Sequence, residues 1–78
     1  MIGFIKSKKL RPETYILNVQ RYAARVIYQS GIWNIQVYYN STIAYTDYNA
    51  SLRKAKQMAK KWIVDDCVET LKLLGYVV

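Results

Sequence analysis

A chain of 78 residues with a net charge of +7 is long enough for one domain, near the lower limit at which an unaided core holds a fold. Just over half of it is apolar, including eight Tyr and two Trp, a content that excludes disorder. The absence of His and a single cysteine, Cys67, exclude an internal disulfide and the common zinc sites.

Residues 1–12 read as a basic arm. Met1-Ile2-Gly3-Phe4-Ile5 is apolar but too short for a signal-peptide core. Lys6, Lys8, Lys9 and Arg11 follow that patch, whereas a secretory signal carries its charge in front. No run approaches the ~20 apolar residues of a membrane span. The expected location is therefore cytoplasmic, and the sequons Asn40-Ser41-Thr42 and Asn49-Ala50-Ser51 carry no weight there. Pro12 removes a donor and pushes Arg11 out of helical geometry. Residues 13–75 are expected to form a single α+β domain, with 76–78 as a tail.

Residues 13–25 carry two signals. Tyr15, Ile16, Val19, Tyr22, Ala23, Val26 and Ile27 fall at helical spacing, whereas Tyr22, Ala24, Val26 and Tyr28 alternate as a strand does. A short helix or turn over 13–20 followed by a strand from about 22 satisfies both. Ser30-Gly31 between two apolar runs predicts a tight hairpin. Trp33, Ile35, Val37 and Tyr39 then alternate with Asn34, Gln36 and Tyr38. Asn40-Ser41 predicts a second turn, and 42–46 a third strand. No charged residue occurs from Val26 to Thr46.

The stretch from Ser51 to Ile63 sorts into two faces when stepped at about 100° per residue. Leu52, Ala55, Ala59, Trp62 and Ile63 form the apolar stripe. Arg53, Lys54, Lys56, Gln57, Lys60 and Lys61 cover the rest, as in an amphipathic helix covering a sheet. Asn49 or Ser51 is placed to cap it. Beyond Val64 the apolar phase changes, so the helix either breaks near Asp65, with a second one over 67–74, or carries a second apolar face for a dimer contact over 64–74. Gly75 stops it. The fold class expected is α+β: a three-stranded antiparallel sheet packed against one main C-terminal helix (βββα), with room for a short N-terminal helix.

Catalytic chemistry is poorly supplied. No Ser or Cys is matched to a base, there is no glycine-rich phosphate loop, and no cofactor is implied. Asp65, Asp66 and Glu69 form the only acidic cluster, a pattern that more often caps a helix junction than holds a metal. Carboxylates beside Cys67 disfavour its thiolate. The chain is expected not to be an enzyme.

The charge points instead to an anionic partner. Arg53, Lys56 and Lys60 form a stripe near a helix N-terminus, suited to duplex phosphates, with Lys6, Lys8 and Lys9 as an aiding arm. Asn34 and Gln36 have the amide chemistry for base reading. A protein-binding role is the alternative: a small accessory or inhibitor protein of a virus or mobile element, acting stoichiometrically through Trp33, Tyr38, Tyr45, Val68 and Leu71. Its partner could be an acidic protein surface.

Ser51-Leu52-Arg53-Lys54-Ala55-Lys56-Gln57-Met58-Ala59 resembles the start of the second helix of double-stranded-RNA-binding domains, which read Ser-Lys-Lys-x-Ala-Lys-x-x-Ala. The resemblance covers about a dozen residues and implies phosphate contacts from Arg53 and Lys56. Leu52 stands where that family has a lysine, and the family's Gly-Pro-x-His loop is missing. The arrangement of basic lead-in, three strands and helix is similar to the arm-type DNA-binding domains of tyrosine integrases. That likeness implies that a sheet face bearing Asn34, Gln36 and Tyr38 enters a major groove.

Overall fold

The computed structural model describes residues 3–9 and 11–66. Its sheet has five strands, not three: β1 (Ile5–Lys6), β2 (Thr14–Val19), β3 (Tyr22–Gln29), β4 (Ile32–Tyr39) and β5 (Thr42–Asn49), followed by one helix, α1 (Leu52–Asp66). Strand order follows chain order and every neighbour is antiparallel. The α+β class stands. The three-stranded sheet and the short helix or turn over 13–20 are overturned.

The physical reason lies in β2. Leu17 and Val19 turn inward to full burial while Asn18 faces solvent, the two-residue period of a strand. Gln20, at φ 54°, reverses the chain into β3. Pro12 follows a cis peptide bond and starts no helix. The expected arm also joins the sheet, because Ile5 pairs with Ile16 and Lys6 with Tyr15. The next two turns sit where expected. Ser30-Gly31 and Asn40-Ser41 each have two consecutive positive φ values, which matches the twist of the strands they join. At β5 the register slips beyond Val37, so that Val37 faces Tyr45 and Tyr38 faces Ile43, with Ala44 the extra residue of a bulge.

One sheet face is covered and the other is open. Leu17, Val19, Tyr22, Ala24, Val26, Ile35 and Val37 meet Ala55, Ala59 and Ile63 of α1 in a single buried cluster. The three buried helix positions are four residues apart, and two are alanines, which lets the helix lie close to the sheet. Ser51 Oγ accepts from the Lys54 N–H at 3.3 Å, and Asn49 Oδ1 accepts from the Ser51 N–H at 2.9 Å. Of the two candidates Ser51 is therefore the cap, and Asn49 closes the turn that leads into it. At the other end the Tyr22 hydroxyl donates to Asp66 at 2.5 Å, which gives the apolar-to-acid phase change near Asp66 a partner at the sheet end. The helix runs through Asp65. A second helix over 67–74, and the dimer contact proposed there, lie outside the described residues. No described helix is long and apolar enough to cross a membrane.

Candidate nucleic-acid interface

α1 presents its cations in two groups. Ala55, Ala59 and Ile63 point into the core, so the 100° step puts Arg53, Lys56 and Lys60 together on one flank and Lys54 and Lys61 on the other. The first flank faces β2, because the Lys56 ammonium sits 4.1 Å from the centre of the Tyr15 ring. Tyr15 in turn touches Trp33 edge-on, with centroids 5.8 Å apart. Lys56 therefore rests on an aromatic platform fixed from below, a cation–π arrangement.

Lys6 stands on the same side, as the cross-strand partner of Tyr15. Lys6 is also ion-paired: its Nζ lies 3.1 Å from Glu13 Oε1, and that bond holds the Glu13 carboxyl below the ordinary carboxylate range. Lys8, Lys9 and Arg11 are exposed in the segment that leads to β2. By register that segment and the start of α1 leave the same end of the sheet.

Carboxylates are satisfied mostly by tyrosines. The Tyr45 hydroxyl donates to Asp47 at 2.7 Å, the Tyr22 hydroxyl to Asp66 at 2.5 Å and the Tyr15 hydroxyl to Glu13 at 3.3 Å. The first bond depresses the Asp47 pKa, with help from the Tyr48 N–H, and pushes Tyr45 up to about 12. Among the described residues Lys6–Glu13 is the one ion pair. Arg53, Lys56 and Lys60 have no carboxylate partner there.

Asn34 and Gln36 lie on the uncovered face, half-buried and already engaged. Asn34 Nδ2 donates to Gln29 Oε1 at 3.0 Å, and Gln36 Oε1 accepts from the Tyr38 hydroxyl at 2.9 Å. The Gln36 amide N–H donors remain for a ligand. They lie across the sheet from the helix, so the proposed base readers and the cation stripe are not brought together. Trp33 and Tyr45, expected at a protein interface, are half-buried on the helix-covered face. Trp33 packs on Tyr15 and Tyr28, and Tyr45 stacks on Trp62 at 5.6 Å and 13°. Of that set Tyr38 alone is placed on the open face, while Val68 and Leu71 lie outside the described residues.

Two features were missed in the sequence. The Tyr15 platform depends on β2, which the helical spacing obscured. Arg25, just before the charge-free run from Val26 to Thr46, also puts charge on the open sheet face; its alternation with Ala24 and Val26 was the available signal. No family model, curated protein or solved structure matches the chain.

Proposed function

We propose that this chain is a non-catalytic nucleic-acid-binding domain that seats a duplex phosphate backbone along the Arg53, Lys56 and Lys60 flank. The observation that carries the reading is that these three cations share one helix flank without a carboxylate partner among the described residues, while tyrosine hydroxyls occupy Glu13, Asp47 and Asp66. Lys8 and Lys9 add charge at the end of the sheet where α1 starts, beside the Lys6–Glu13 pair, and the likeness of 51–59 to a duplex-RNA-binding helix agrees with the reading. Each phosphate neutralised on B-DNA releases counterion worth a slope of about −0.9 in log K against log salt.

The test is fluorescence anisotropy of labelled duplex DNA and RNA between about 50 and about 200 mM salt. The triple variant Arg53→Gln, Lys56→Gln, Lys60→Gln should flatten the DNA slope by about 2.7. Absence of duplex affinity at the lower salt, or an unchanged slope in the variant, overturns the reading. The second reading, a stoichiometric protein binder, is favoured by the exposure of Ile5, Ile43 and Tyr48 on the uncovered face, at 74%, 55% and 64%. It predicts a pull-down that Tyr48→Ala abolishes and the triple variant leaves intact.

A further inference from the structure

The uncovered sheet face is hollowed at the end where β2 turns into β3 and β4 into β5. The hollow follows from one small residue. Ala23 stands in register between Asn18 on β2 and Tyr38 on β4, and between Arg21 and Arg25 along its own chain. A methyl group ringed by four larger polar side chains leaves a depression, and Gln20, Asn40 and Ser41 close its end. The space measures about 530 Å³, within the range of small-ligand sites.

The walls favour an anion. Two guanidinium groups border the hollow, and neither is ion-paired among the described residues. No carboxylate lines it; the other polar side chains are the amides of Asn18, Gln20 and Asn40 and the hydroxyls of Ser41 and Tyr38, while the Tyr22 hydroxyl is turned to the opposite face, where it bonds Asp66. The Tyr38 ring is fixed through its hydroxyl bond to Gln36. The Arg25 guanidinium lies 6.0 Å from that ring's centre, the outer reach of a cation–π contact, which leaves its forked N–H donors for a ligand. Paired guanidiniums match phosphate oxygens in two-pronged geometry.

We propose that this hollow is a second anion site, which takes a phosphate group of a nucleotide or of a nucleic-acid strand. It lies on the opposite side of the sheet from the Arg53, Lys56 and Lys60 flank, so it stands whether or not duplex binding occurs there.

The experiment is a proton–nitrogen NMR titration of the full chain with AMP, with a short single strand lacking a terminal phosphate, and with succinate. AMP or the strand should move the amides of Asn18, Ala23, Arg25, Tyr38 and Ser41 saturably. Arg21→Gln with Arg25→Gln should weaken that binding about tenfold, and the helix-flank triple variant should leave it unchanged. Shifts with AMP alone assign the free nucleotide, and shifts with the strand alone assign the strand. The proposal is overturned if neither moves these amides, if the double variant binds as wild type does, or if succinate moves them as strongly as AMP. Both arginines are exposed, and the dispersion of the variant's spectrum reports its fold directly.

Discussion

Replacing Leu17 by Ala tests the strand on which both the core and the Tyr15 platform depend. Leu17 is 0% exposed, and its partner across the sheet is Ala24, a side chain with nothing to extend into a gap. The site therefore cannot collapse easily, and the loss should fall near the middle of the usual Leu→Ala range, about 3 kcal/mol. A domain of 78 residues has a total stability of roughly 4–12 kcal/mol, so the change removes a large part of it. Melting should drop by about 12–24 °C. Urea unfolding followed by tryptophan fluorescence measures the loss, with Ile43→Ala on the exposed β5 as control, expected to change stability by less than about 0.5 kcal/mol. A Leu17→Ala loss under about 1 kcal/mol at unchanged m-value would refute both the inward direction of Leu17 and the β2 register.

Three further outcomes follow from the geometry. Tyr45 holds its proton up to about pH 12, above its ordinary ~10, so the unfolded chain loses that proton first. Stability should then fall as pH rises from about 10 through 12; Tyr45→Phe should flatten this limb in unfolding curves, and its ultraviolet difference spectrum should lack the late-titrating phenol. The depressed Asp47 carboxyl works in the opposite direction, adding stability above its ordinary range that is lost as pH falls through its folded value. Ser41 has φ 67°, so Ser41→Gly should stabilise the hairpin by about 0.5–1 kcal/mol, read as a raised denaturation midpoint. Ser51→Ala deletes the acceptor for the Lys54 N–H and should cost about 1 kcal/mol in the same assay.

The hairpins that the sequence revealed are those whose turns use residues tolerant of positive φ, Ser30-Gly31 and Asn40-Ser41. The Gln20-Arg21 turn has no such residue, and it hid the strand before it. The blur over 13–25 has a second cause. Ile16, Ala23 and Ile27 are apolar residues on the uncovered face, and they fill the slots that made the segment look helical. Ile16 is paired with Ile5 of a two-residue strand too short to signal itself. The grouping of Arg53, Lys56 and Lys60 was legible because helical phase depends on sequence alone. Which edge of the sheet they face was not, since it depends on how the helix is set across the strands. Aromatic content likewise could not say on which side of the helix layer Trp33 and Tyr45 would end.

The order of the strands also bears on how the chain assembles. Each strand lies beside the one synthesised just before it, so every hairpin can zip through a short closure, and low sequence separation favours rapid folding. The element that seals the apolar surface, however, emerges from the ribosome after all five strands. Until residues 55–63 are out, Leu17, Val26 and Ile35 stay wet on the nascent sheet, and that interval is when the chain is most open to aggregation.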